Sequence, residues 1–116
     1  SRELVYSETF TAAFGEHTST VYYSGYRYEF PVTVTGGTAA KYYYVFSEKE
    51  YSAEALANLP LVYEYDYNFR QGTALKNLYA PAGTTYYLAV VVESEDGELS
   101  PVITKTIEVP ALPAEE

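Results

Sequence analysis

A chain of 116 residues can form one domain with its own core, and without cysteine it can use neither disulfides nor thiolate chemistry. Sixteen acidic against seven basic residues give a net charge of −9, so we expect neither nucleic acid nor a membrane surface as a partner of this domain. Fifteen tyrosines without any tryptophan favour a β-rich fold, because tyrosine has a high strand propensity.

Alternation of apolar and polar residues predicts strands through the first third of the chain. Residues 4–14 form the first of them, with Glu8 as the interruption of its apolar face. The cleanest alternation runs over residues 26–34, and Pro31 lies inside it. Because proline has no N–H to donate, we expect either a bulge at Pro31 or an unpaired strand edge there.

The middle of the chain adds a strand, a helical insert and a second strand. Residues 41–47 are apolar on both faces, so periodicity alone does not separate inside from outside. If Tyr42, Tyr44 and Phe46 face the core, Tyr43 lies outside. Ser52 can cap a short helix over residues 52–59, which Pro60 is expected to end. The next strand carries one row of rings: Tyr63, Tyr65, Tyr67 and Phe69.

The last third of the chain reads as a long strand, a tight hairpin and a return strand. The long strand reaches Val92, Asp96-Gly97 supplies the positive φ of a short turn, and the return strand covers residues 102–109. In total, about seven strands and one small helix predict an all-β fold, an antiparallel β-sandwich over residues 1–110. Residues 111–116 resemble the start of a linker or tail.

One segment, residues 73–109, carries a family resemblance. Leu78 precedes a Pro-Ala-Gly-Thr turn that begins at Pro81, Tyr86 follows the turn, and the final hairpin comes next. This order resembles the fibronectin type III family. The resemblance implies that Tyr86 is a corner tyrosine whose hydroxyl bonds back to the backbone near Leu78. It also implies that Phe30 replaces the tryptophan common in the second strand of that family.

The chain is also similar to immunoglobulin-like modules of multidomain surface and secreted proteins of Gram-negative gut bacteria. This resemblance implies a non-catalytic module of a larger protein, acting as a spacer, an interdomain packing unit or a protein-binding domain. Its partners would be other domains of the same chain or another protein. The implied location is extracytoplasmic, at the cell surface, in the periplasm or secreted, and a lipid anchor upstream of Ser1 fits it.

Catalytic and metal chemistry lack the residues that they need. His17 is the single histidine, so neither a nucleophile with its base nor a tetrahedral zinc site can be assembled around it, and we expect a solvated loop residue. We therefore expect no enzyme and no cofactor. Four acids of the final hairpin match no calcium-loop spacing, and an ordinary solvated turn is the simpler interpretation. These acids are Glu93, Glu95, Asp96 and Glu98.

The tyrosines of the middle strands are the candidate binding residues, namely Tyr43, Tyr63, Tyr65 and Tyr67. Exposed aromatic rings in a row can stack on sugar rings or contact a protein partner. The alternative function is therefore a carbohydrate-binding module that uses exposed tyrosines. The competing structural interpretation is that these rings fill the sandwich. Two or more of these tyrosines in a coplanar exposed strip would favour the carbohydrate-binding interpretation.

Overall fold

Antiparallel strands make up about half of the described residues in a computed structural model that covers residues 4–62 and 67–114. The strands are β1 Thr11–Phe14, β2 Thr18–Tyr22, β3 Gly25–Glu29, β4 Val32–Thr35, β5 Ala39–Ser47, β6 Phe69–Gly72, β7 Leu78–Pro81, β8 Thr85–Ser94 and β9 Ile103–Glu108. Two short helices, α1 Ala53–Ala57 and α2 Leu59–Val62, separate β5 from β6. The all-β class expected from the sequence is therefore correct.

The described strands pair in three antiparallel sheets, with the orders β1-β4, β2-β3-β7 and β6-β5-β8-β9. The first ladder continues the β2–β3 hairpin across a break. Phe14 pairs with Val32 and Thr18 pairs with Glu29, so residues 15–17 face residues 30–31 with one extra residue. The extra residue lies on the strand opposite Pro31, so the irregularity is at the position that the sequence predicts but the bulge is on the partner strand, where it bends the hairpin.

The first core cluster lies between the three-stranded sheet and one face of the four-stranded sheet. Tyr26, Tyr28 and Phe30 come from the first sheet and its bend, and all three are buried. They meet side chains of β8 and β9, namely Leu88, Val90, Val92 and Ile107. The alternation read from residues 26–34 therefore places the inward side chains correctly.

The opposite face of the four-stranded sheet is buried as well. Tyr43, Val45 and Val91 form a second core cluster on this side, beneath Leu59 of α2 and Leu99. Partly buried residues close its rim: Leu4, Tyr6, Tyr51, Leu56 and Val102. A strand covered on both faces needs apolar side chains on both, which explains the composition of β5 and β8. The position of Tyr43 outside the core, expected from the sequence, is wrong for this reason.

The helical insert begins where the sequence predicts it. The Ser52 hydroxyl accepts from the backbone N–H of Ala55 at 3.1 Å and caps α1. Pro60 does not end the helical region, because it lies in the first turn of α2, where its missing N–H costs no hydrogen bond. In the described part of the chain, no helix is long and apolar enough to cross a membrane.

One predicted strand is shorter than expected, and part of another lies outside the described residues. Of residues 4–14, β1 keeps Thr11–Phe14, because the Ser7 hydroxyl accepts from the N–H groups of Thr9 and Phe10 and turns the chain. Tyr6 contributes an isolated bridge to Leu99. The strand expected to follow the helix begins at Phe69, after a turn, while residues 63–66 lie outside the described residues.

Candidate functional site

The outer face of the three-stranded sheet carries a group of three aromatic rings around one cation, two of them exposed and one half-buried. Tyr26 and Tyr28 point into the core, so Arg27 between them points outward. Across the ladders, Arg27 is level with Tyr79 of β7. Tyr22 lies on the same face of β2, and Tyr23 follows it in the hairpin loop. We call Tyr22, Tyr23, Arg27 and Tyr79 the tyrosine–arginine patch.

Short contacts hold the patch together. The guanidinium carbon of Arg27 lies 3.5 Å from the centroid of the Tyr22 ring, a close cation–π geometry. The Tyr22 ring meets the Tyr23 ring at 4.4 Å and 83°, and the Tyr79 ring at 6.1 Å and 75°. The Tyr79 hydroxyl and the Ser24 hydroxyl share a hydrogen bond of 3.0 Å. The side chains are thus arranged before any partner binds.

Tyr23 is the least expected member of the patch. Its side chain is 80% exposed, and its backbone φ is +51° at the first position of a two-residue hairpin loop. This position normally takes glycine, asparagine or aspartate, since a larger side chain there costs conformational energy. Neither core burial nor turn propensity accounts for a tyrosine here. A strained and exposed aromatic residue is therefore a candidate for a binding role.

A shallow depression adjoins the patch, with a volume of about 200 Å³. Its lining is mixed: Val21, Tyr22 and Tyr28 contribute apolar surface, and the polar residues are Thr18, Thr20, Arg27, Glu29 and Asn77. This volume is below the roughly 300–1,000 Å³ of sites that enclose small ligands. The surface therefore fits a partner that lies across it better than a molecule enclosed within it.

The tyrosines predicted as binding residues do not form an exposed row among the described residues. Tyr43 is 9% exposed, and its hydroxyl donates to the Glu93 carboxylate at 2.8 Å. Tyr67 is 87% exposed in the turn before β6. Tyr63 and Tyr65 lie outside the described residues. Sequence reasoning missed the patch because its members come from three separate strands and one turn, and pairing alone brings them together.

The final hairpin uses its polar groups internally. The Ser94 hydroxyl accepts from the N–H groups of Asp96 and Glu98, at 3.2 and 3.0 Å. The Glu98 carboxylate accepts from the Ser7 hydroxyl at 3.1 Å. Within residues 4–62 and 67–114, no three histidine, cysteine, aspartate or glutamate side chains are grouped as metal ligands.

Tyr86 is half-buried, but the corner hydrogen bond predicted for it is not found. Its ring lies 4.8 Å from that of Phe46, and burial raises the pKa of its hydroxyl, with Glu48 and Tyr79 adding to the effect. None of the hydrogen bonds among the described residues involves this hydroxyl. Instead, the Thr84 hydroxyl donates to the Pro81 carbonyl at 2.7 Å and closes the turn. Leu78 is half-buried against the first core cluster.

His17 is not the solvated loop residue that the sequence suggests. The bend of the hairpin brings its ring within 5.6 Å of the Tyr28 ring and 5.4 Å of the Phe30 ring. Its Nδ1 accepts a hydrogen bond of 2.9 Å from Lys105 on β9. Burial lowers the pKa of His17, the Lys105 charge lowers it further, and Glu16 opposes both.

This environment predicts a pH dependence of stability. Because the pKa of His17 is lowered in the folded chain, its imidazole stays neutral at pH values just below the ordinary pKa of 6.5. In the unfolded chain the imidazole is protonated at these pH values. The unfolded state then binds more protons, so stability is full above the ordinary pKa and falls as the pH drops from just above it to below it. Urea unfolding across this range should show a shallower fall for His17→Gln than for the wild type. Equal slopes would contradict the assignment.

Comparison of the chain with protein-family models, with curated proteins and with solved structures finds no match. Inference about function therefore depends on this molecule alone. Its two informative features are the way in which the strands are divided between the sheets and the exposed tyrosine–arginine patch.

Proposed function

We propose that the chain is a fibronectin type III-like β-sandwich module with an interaction role in a larger extracytoplasmic protein. The strand order supports this proposal. The nine strands of the described residues reduce to seven because β1 with β2, and β3 with β4, each form one bent strand. Seven strands divided as three and four, with the chain crossing between sheets after β4, β6 and β7, match the Greek-key connections of immunoglobulin-like sandwiches.

The observation that carries the interaction role is the tyrosine–arginine patch. Its rings belong to neither core cluster, yet contacts of 3.5 to 6.1 Å fix their arrangement. Tyrosine and arginine are enriched where proteins bind one another. Tyrosine gives a large contact area with few rotatable bonds to order, and arginine gives a planar charged group with several hydrogen-bond donors. The proposed partner is another domain of the same protein or a second protein, and no reaction is proposed.

Carbohydrate binding is the weaker alternative. A sugar platform needs rings that lie in one plane, and the rings of Tyr22, Tyr23 and Tyr79 meet at 83° and 75°. The guanidinium group of Arg27 also covers one face of the Tyr22 ring. The patch therefore suits the irregular surface of a protein better than the flat face of a pyranose.

Site-directed photo-crosslinking in the cells that make the protein tests the proposal. Benzoylphenylalanine in place of Tyr23 should form one discrete protein adduct, identified by mass spectrometry and lost when Arg27→Ala removes the cation of the patch. The same photoreactive group at Tyr67, which is equally exposed but in the turn before β6, is the matched control.

The outcomes separate the candidate functions. Equal adducts from the two positions, or none from position 23, would contradict an interaction role for the patch. Saturable glycan binding in a titration followed by tyrosine fluorescence, abolished by Tyr23→Ala, would instead establish the carbohydrate alternative.

A further inference from the structure

β2 presents an unpaired edge beside the patch. It is an outer strand of the three-stranded sheet: β3 pairs with one of its edges, and within the described residues no strand pairs with the other. Four of its five residues are exposed. The side chain of Val21, an apolar residue, is 50% exposed. Both the backbone and an apolar side chain of β2 are thus open to a partner.

The hairpin geometry fixes which backbone groups are free. Tyr23 and Ser24 form a two-residue loop that the pair Tyr22 and Gly25 closes. In such a loop each residue of the closing pair donates its N–H to the C=O of the other. Farther along the strand, residues that bond to the neighbouring strand alternate with residues that do not. The N–H and C=O groups of Tyr22 and Thr20 therefore point to β3. Those of Ser19 and Val21 point away from it, toward the free edge.

The other outer strands carry features that block pairing. Arg70 lies on β6, Lys105 and Glu108 lie on β9, and β7 ends at Pro81. Charges and proline on an edge discourage the addition of another strand. β1 and β4 are four residues long and half of their residues are partly buried. β2, with the sequence Thr-Ser-Thr-Val-Tyr, has neither charge nor proline.

We propose that β2 binds an extended segment of a partner polypeptide as an additional strand of the sheet, which specifies how the interaction role proposed above is carried out. The segment would bond to the N–H and C=O groups of Ser19 and Val21 and place an apolar side chain against Val21. On the outer face its side chains would lie beside Thr20 and Tyr22, at the margin of the patch.

Charge decides what kind of segment fits. The chain carries a net charge of −9, so long-range repulsion disfavours an acidic segment and also a second copy of this chain. The cation nearest to the edge on the outer face, Arg27, is already engaged by the Tyr22 ring. The expected partner segment is therefore neutral or basic, with β-branched or aromatic residues at alternate positions and without proline between them.

A phage library of random linear twelve-residue peptides, selected on the full chain, tests the proposal. Enriched peptides should show that alternation, and in amide hydrogen exchange they should slow the N–H groups of Ser19 and Val21 but not that of Thr20, which β3 already protects. Val21→Pro removes an N–H that points to the free edge, and it should weaken peptide binding about tenfold or more. Val21→Ala keeps that N–H and is the matched control.

Each result bears on the proposal separately from the interaction role. Failure to enrich any peptide, or equal binding by Val21→Pro and Val21→Ala, would overturn strand pairing. A discrete adduct at position 23 would in that case still support the patch as a contact surface. A concentration-dependent dimer of the chain, lost in Val21→Pro, would show that a second copy pairs with β2 and would overturn the partner segment proposed here.

Discussion

Replacing Phe30 with alanine should lower the free energy of unfolding by about 3–5 kcal/mol. The side chain is 3% exposed at the bend of the first hairpin, stacked on the Tyr28 ring at 5.6 Å and 15° and in contact with the Phe46 ring at 5.6 Å. Alanine would leave a cavity at the junction of the two sheets. Such a loss is a large part of the roughly 5–15 kcal/mol that stabilise a domain of ordinary size.

Urea unfolding followed by circular dichroism measures this effect, and Phe30→Leu is the control. Leucine keeps most of the volume, so it should cost less than about 1.5 kcal/mol. The Phe30 N–H, which donates to the Leu75 carbonyl at 2.9 Å, is retained in both variants. A loss below 1 kcal/mol for alanine, on the scale of an ordinary surface substitution, would contradict the central position given to this ring.

Gly36→Ala should be the second severe substitution, because it combines two costs. The backbone φ of Gly36 is +87°, a region that L-residues avoid, and an added Cβ would lie 2.0 Å from the Thr9 carbonyl oxygen. The first cost is about 1–2 kcal/mol. The second requires the backbone of the segment before β1 to move, so the total should exceed about 3 kcal/mol.

Gly97 is a matched control for this prediction. Its φ is also +87°, but an added Cβ would meet no atom within 4 Å. Gly97→Ala should therefore show the conformational cost alone. The difference between the two variants in thermal unfolding isolates the close contact with the Thr9 carbonyl. Equal losses of stability in the two variants would mean that the backbone around Thr9 moves at little energetic cost, which would contradict the close packing described above.

Local pattern was enough to predict the strand over residues 26–34 and the irregular pairing at its proline. These residues alternate strictly, so Tyr26, Tyr28 and Phe30 were assignable to the interior, and the missing N–H of Pro31 indicated where the pairing is interrupted. The same reasoning failed for Tyr43. Alternation distinguishes the two faces of a strand only when one of those faces is exposed to water. In β5 neither face is exposed, because Leu59 and Leu99 cover the second face from distant parts of the chain.

The candidate site was less accessible to sequence reasoning. Tyr22, Arg27 and Tyr79 meet because β2, β3 and β7 pair in one register, and 52 residues separate Arg27 from Tyr79 in the chain (79 − 27 = 52). Tyr23 offered one local signal, a tyrosine in a turn that favours small residues. For Tyr86, the family resemblance predicted a hydrogen bond that is not found, and the Thr84 hydroxyl bonds to the backbone at that turn.

The four-stranded sheet is covered on both faces, so it should resist local unfolding more strongly than the bent hairpin does. β8 lies at its centre, with five consecutive buried residues from Leu88 to Val92, and its amide hydrogens should be among the last to exchange with solvent. The bent hairpin, by contrast, contributes one covered face and a free edge. We therefore expect local opening to begin in the outer layer, at the edge where the partner segment is proposed to bind, while the central sheet keeps its form.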